Sequence, residues 1–275
     1  MSQQVQKNGV ILAKPMFVTF DAYGTLYTPK KPIHELYCSF AIEHGIIPES
    51  SDIQVYEQRF LSAFKNNFSK YPNYGKNVVG PIRLPQLDDW WDLVIRDTFD
   101  LSHGGEVAST TYTFVQDLLA DFKSTKVYDS FDDVVPLLDW LRHHHIPMGV
   151  ASNTDRNAID VLNLFGFLKW FSPENIFLSY DMDVLKPDKL FFDKIRQAAT
   201  PDEVAPSSCW HIGDELSKDF TAAYNAGWSS ILVDRQNKHG FFGSQMGKLR
   251  SRIVNDRQVV VRDLKEVSNV FGATE

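Results

Sequence analysis

Two hundred and seventy-five residues, 43% of them hydrophobic and 23% charged, are ample for a buried core and too apolar for a chain that stays unfolded. The length suits one large domain or a core with an insertion, and a formal net charge of -7 argues against coating nucleic acid or an anionic membrane. Cys38 and Cys209, the only 2 cysteines, are far apart and form no CxxC pair, so neither a disulfide framework nor a thiolate metal site is suggested. No apolar run reaches the ~18 residues of a membrane span, and Met1 to Pro15 lacks a basic, apolar leader. A cytoplasmic protein is expected, with the nucleus left open and the oligomeric state undetermined.

Met16 to Phe20, MFVTF, reads as a buried strand that stops at Asp21, before a Gly-Thr turn. After Pro29 and Pro32 the pattern turns helical: Ile33 to His44, Val55 to Phe68, Trp90 to Phe99 and Tyr112 to Phe122 carry apolar residues at helical spacing. From Phe131 helices and strands alternate. Helix Asp132 to His143, strand Pro147 to Ala151, helix Asp155 to Phe165 and strand Ile176 to Leu178 come first. Helix Lys189 to Ala199, strand Cys209 to Ile212, helix Ser217 to Ala226 and strand Ser230 to Val233 follow, with a last strand at Val259 to Val261. This rhythm predicts an α/β fold with a parallel sheet, whose ligands gather beyond the carboxyl ends of the strands.

At those ends stand Asp21-Ala22-Tyr23-Gly24-Thr25-Leu26, Ser152-Asn153-Thr154, Lys186-Pro187-Asp188 and Gly213-Asp214-Glu215, with Asp219 five residues beyond Asp214. Alone, each is an ordinary turn former, helix cap or solvated residue. Together, in this order, an acid, a hydroxyl, a lysine and an acid cluster make up the parts of a metal-assisted phosphoryl-transfer site.

With these motifs the sequence resembles the haloacid dehalogenase (HAD) superfamily, most of whose members are phosphatases. The aromatic insertion and the stretch HIGDELSKDFTAAYNAGW look like the eukaryotic branch named haloacid dehalogenase-like hydrolase domain-containing. The resemblance implies a Rossmann-like, doubly wound parallel sheet, the HAD core, from residues 1–29 and 122–275, with an inserted helical cap at 30–121. It also implies a magnesium ion and a nucleophilic aspartate acting on a small phosphorylated molecule. Asp21 then attacks phosphorus to form an aspartyl-phosphate. Mg2+ is held by Asp21, the backbone carbonyl of Tyr23 and Asp214, with Asp219 or Glu215 acting directly or through water. Lys186 offsets charge, while Ser152, the Asn153 backbone and Thr25 donate to phosphoryl oxygens.

One departure matters. Phosphatases of the family carry a second aspartate two residues after the nucleophile; here that position is Tyr23. A phenol of ordinary pKa near 10 is a poor base at neutral pH, and the missing help is worth roughly 100-fold to 10,000-fold. Tyrosine there is shared by the family's 2-haloacid dehalogenases, which use Asp21's counterpart without metal. Those enzymes, however, replace the first acid of the last motif with serine and place a tyrosine six residues after the lysine, where this chain has Asp214 and Phe192. The alternatives are thus a dehalogenase-like hydrolase and a catalytically weak phosphometabolite-binding protein. Tyr23, Tyr74 and Lys76 of YPNYGK, and Arg96 near Trp90, Trp91 and Phe99 are the candidate substrate contacts. His143-His144-His145 reads as a solvated helix end, His211 as a hydrogen-bonded core residue, and Trp90 and Trp91 as core of the helical insertion.

Overall fold

A computed structural model of the chain describes residues 12–76, 84, 86–103, 108–243 and 248–272. The outer ends of the segments 1–29 and 122–275, and parts of the helical insertion at 30–121, lie outside the described residues. Along the chain, β1 (Phe17–Phe20) and β2 (Tyr27–Pro29) precede α1 (Ile33–Glu43), α2 (Ile53–Lys70), α3 (Leu87–Thr98) and α4 (Ser109–Asp121). Next come β3 (Tyr128–Ser130), α5 (Val134–His143), β4 (Met148–Ser152), α6 (Asn157–Leu164), β5 (Ile176–Leu178), α7 (Ser179–Met182), α8 (Lys189–Ala199) and β6 (Cys209–Gly213). A π-helical turn at Leu216–Thr221 leads into α9 (Ala222–Asn225), β7 (Ser229–Val233), β8 (Ser251–Asn255), β9 (Gln258–Val261) and α10 (Lys265–Gly272).

These elements divide into two compact units. The first holds the described residues of Met1–Thr28, Ser130–Thr154 and Gly166–Glu275. Its sheet has the order β5-β4-β1-β6-β7-β9-β8 and is parallel except for β8, which runs antiparallel to β9. β1 lies between β4 and β6, with Val18 opposite Met148 and Trp210. Every residue of β1, β4, β6 and β7 is buried, which is why these segments read as continuous apolar runs rather than alternating ones. α8 begins where Asp188 accepts the Leu190 N–H at 2.9 Å, and it turns Phe191, Phe192 and Ile195 into a cluster with Phe17, Cys209 and Trp228. Side chains of that size each contribute about 1.5–3 kcal/mol when fully buried.

The second unit comprises Pro29–Asp129 and Asp155–Phe165. Its helices close on a core of Tyr37, Cys38, Ala41, Ile95, Phe99, Phe114 and Leu118. A second aromatic cluster surrounds Trp90, whose ring meets Phe64, Phe68, Tyr74 and Trp91 at 4.9–6.2 Å. Asp155–Phe165, which the sequence reading placed with the sheet, groups here with the helices. Asp155 accepts the Trp91 Nε1–H at 2.8 Å through one oxygen and the Asn157 N–H at 2.8 Å through the other. One carboxylate thus braces the first residue of α6 and fastens it to α3. No described helix is long and apolar enough to cross a membrane.

Candidate active site

β1 delivers Asp21 to the end of the sheet, where its N–H still donates to Ile212 O of β6 at 2.8 Å. The chain then folds back at once: Leu26 N–H reaches Ala22 O at 2.9 Å and Gly24 N–H reaches Tyr27 O at 2.7 Å. Gly24 has φ +81, and a Cβ there would collide with the Asp214 carboxylate, so glycine is required twice over. The turn seats Thr25, fully buried, with its hydroxyl donating to Asp214 Oδ1 at 3.3 Å. Sequence reasoning gave that hydroxyl to a phosphoryl oxygen; in the structure it orients an acid.

β4 ends in buried Ser152, whose hydroxyl helps to lower the Asp21 carboxyl. Asn153 makes a two-point clasp on the backbone of Lys186, its Oδ1 accepting Lys186 N–H and its Nδ2 donating to Lys186 O, both at 2.7 Å. This clasp fixes the main chain from which the lysine projects. The ammonium is buried and makes three short contacts: Asp21 Oδ1 at 2.9 Å, Asp219 Oδ1 at 2.6 Å and Ala151 O at 2.9 Å.

β6 ends at Gly213, where a Cβ would strike Asp219, and the π-helical turn brings Asp219 back toward the sheet. Its Oδ2 accepts Glu215 N–H at 2.9 Å. One oxygen from each of Asp21, Asp214 and Asp219 falls within 4.8 Å of the others. Three carboxylates thus share a space with one ammonium, and the electrostatics respond as expected. Burial, followed by the charges of Asp21, Asp219 and Glu215, pushes the Asp214 carboxyl up to about 7. Burial also raises Asp21, against the lowering effect of Lys186. Burial alone would raise Asp219, but Lys186 and then His211 outweigh it and hold that carboxyl below the ordinary range. Lys186 itself stays charged: burial lowers it, and Asp21 and Asp219 more than reverse this.

Tyr23 is 43% exposed, edge-on to Tyr27. Partial burial and then the Asp214 carboxylate push its phenol up to about 12, so it is protonated at neutral pH. His211 was read as a core residue; it is buried, and its ring touches Lys186, Asp219 and Thr19. Phe192 packs edge-on against it at 5.4 Å. Of the candidate substrate contacts on the helical unit, Tyr74 is buried in the aromatic cluster around Trp90, which makes it part of that unit's interior. Arg96 is buried too, bonding Asp92 and Ser102 O at 2.7 Å each and lining a cleft of about 790 Å3 with Arg59, Asp97, Asp100 and His103. Lys76 is exposed.

A family model described as haloacid dehalogenase-like hydrolase matches residues 16–227. Haloacid dehalogenase-like hydrolase domain-containing protein 3 of Mus musculus is 30% identical over 216 residues, spanning 78% of this chain and 80% of the relative. Two solved structures share the fold. The HAD-hydrolase YfnB from Bacillus subtilis, bound to magnesium, has a TM-score of 0.59 at 15% identity, covering 94% of this chain and 99% of that one. A 2-haloacid dehalogenase from Pseudomonas syringae has a TM-score of 0.59 at 17% identity, covering 94% and 98%. With the family model spanning most of the chain and the sheet ending in the acids it does, the chain belongs to the haloacid dehalogenase-like hydrolases.

Proposed function

We propose that the chain is a magnesium-dependent phosphohydrolase that cleaves small phosphorylated molecules with good leaving groups. The observation that carries this reading is the packing of Asp21, Asp214 and Asp219 within 4.8 Å against a single ammonium. Hard carboxylate oxygens at that spacing suit Mg2+. Asp21, Asp214 and the Tyr23 carbonyl would hold the ion, which when bound neutralises phosphoryl charge so that an anionic nucleophile can approach. Asp219 already accepts bonds at both oxygens, which suits it to reach a cation through water.

Asp21 attacks phosphorus, the bond to the leaving oxygen breaks, and water then cleaves the aspartyl-phosphate. Ser152 and Lys186 restrain the nucleophile. The Tyr23 phenol, raised as it is, takes no proton from water at neutral pH. Substrates whose leaving group departs as an anion, such as acyl or phenolic phosphates, escape this handicap; alkyl phosphates do not.

A second reading, attack of Asp21 on the carbon of a 2-haloacid, is favoured by Tyr23 and needs no cation. Asp214, raised toward neutrality by burial and then by its acidic neighbours, weighs against it, because a metal-free site gains nothing from a third clustered acid. The test is a panel of aryl, acyl and alkyl phosphates assayed with Mg2+ and with chelator, alongside halide release from 2-haloacids without metal. Chelator-sensitive phosphate release that Asp21→Asn abolishes is the expected result. Halide release without metal favours the dehalogenase, and ligand binding without any turnover favours a binding protein.

A further inference from the structure

Hydrogen-bond arithmetic around Lys186 assigns a role to His211. An ammonium has three protons, and those of Lys186 are taken by Asp21 Oδ1, Asp219 Oδ1 and Ala151 O at 2.6–2.9 Å. None is left for His211 Nε2, 3.4 Å away. Nε2 lies 3.1 Å from Asp219 Oδ1, an atom that can only accept while ionised, so Nε2 carries a hydrogen and donates it. In the neutral ring Nδ1 is then an acceptor, and the one hydroxyl beside it is Thr19 Oγ1 at 2.9 Å. Thr19 also faces Trp210 O, but at 3.4 Å, the poorer acceptor of its proton. Thr19, His211, Asp219 and Lys186 are all at most 2% exposed, so no solvent competes for these bonds.

We infer that His211 is a positioning residue for the nucleophile: Thr19 sets its tautomer, its Nε2–H holds Asp219 Oδ1, and that oxygen holds the Lys186 ammonium against Asp21. The chain Thr19–His211–Asp219–Lys186–Asp21 runs from β1 through β6 and back to the end of β1. Without the imidazole, Asp219 Oδ1 keeps only the lysine, and the pair can turn away from Asp21 together. His211 touches no reacting atom and acts only through the two residues it orders.

The inference rests on the proposed phosphohydrolase reading for its kinetic arm alone. In the metal-free protein, long-range 1H–15N correlation of the ring is expected to show Nε2 protonated and Nδ1 bare, with Thr19→Val disturbing that pattern. In steady-state hydrolysis of an aryl phosphate with saturating Mg2+, His211→Phe is expected to lower kcat about tenfold or more with KM changed less than about twofold. His211→Gln, whose amide can donate from nearly the same place, is expected to recover most of the loss. A ring protonated at Nδ1 overturns the inference, as does a Gln variant no better than Phe. If the wild-type protein releases no phosphate from any ester, the phosphohydrolase reading fails, and the tautomer still decides the role of His211.

Discussion

Lys186 Nζ sits 2.6 Å from Asp219 Oδ1, with both side chains 1% exposed, and the same ammonium holds Asp21. Breaking a buried pair by removing one partner is strongly destabilising. Lys186→Met is therefore expected to abolish turnover and to lower stability by about 3–5 kcal/mol near neutral pH without Mg2+. Urea unfolding measures this. The deficit should shrink near pH 5, where the stranded carboxyls can take up protons; a variant equally unstable at both pH values contradicts the account.

The acid cluster fixes a pH dependence whose sign follows from its shifts. Asp214, raised to about 7 from an ordinary value near 4, binds its proton more tightly folded than unfolded. Between about pH 4 and pH 7 folding takes up a proton, so stability falls as pH rises. Asp21, also raised, has the same sign. Asp219, lowered, has the opposite sign, but its window lies below about pH 4. Lys186, raised, loses its contribution only above about pH 10. His211, lowered chiefly by burial, opposes this below about pH 6.5, so the sign is read against a variant: relative to Asp214→Asn, the metal-free wild type is expected to lose unfolding temperature from about pH 5 to about pH 8. Curves that run parallel over this range refute the assignment.

Tyr23 invites replacement in two directions. Tyr23→Phe should leave aryl phosphate turnover within about twofold, because the phenol, near 12, moves no proton at neutral pH. Tyr23→Asp should raise turnover of alkyl phosphates by about tenfold or more, since it supplies the missing acid and base. Initial rates on matched aryl and alkyl esters decide; an unchanged alkyl rate rejects this explanation of the gap.

Gly24 approaches Asp214 so closely that no side chain fits, and its φ of +81 adds backbone strain to any replacement. Gly24→Ala is expected to weaken Mg2+ binding at least about tenfold by displacing Asp214, as measured by titration calorimetry without substrate. Unchanged affinity rules out Asp214 as a ligand.

Much of the sheet was legible because its central strands are buried on both faces and so appear as apolar runs ending in polar turns. MFVTF and Asp21, or the GDELSKD stretch around Asp214 and Asp219, could be read directly. Side-chain commitments were not, since they depend on residues far away in sequence. Thr25 turns to Asp214 and Asn153 clasps Lys186, while Tyr74 folds into an aromatic cluster built by two helices. β8 escaped notice as an edge strand of mixed burial, SRIVN, with no apolar face to mark it. Asp155 read only as the start of a helix, and nothing local revealed that Trp91 would bond one of its oxygens.

The placement of β1 has a consequence for synthesis. Its two neighbours in the sheet enter the chain at Met148 and Cys209, so the strand bearing Asp21 leaves the ribosome long before either flank exists. The helices from Ile33 to Asp121 rely on closer contacts and can condense while the nucleophile waits unpaired. A nascent polypeptide halted before Cys209 has one open edge beside Asp21 and lacks the Asp219 partner of its lysine, so the site is assembled only after the last motif has been made.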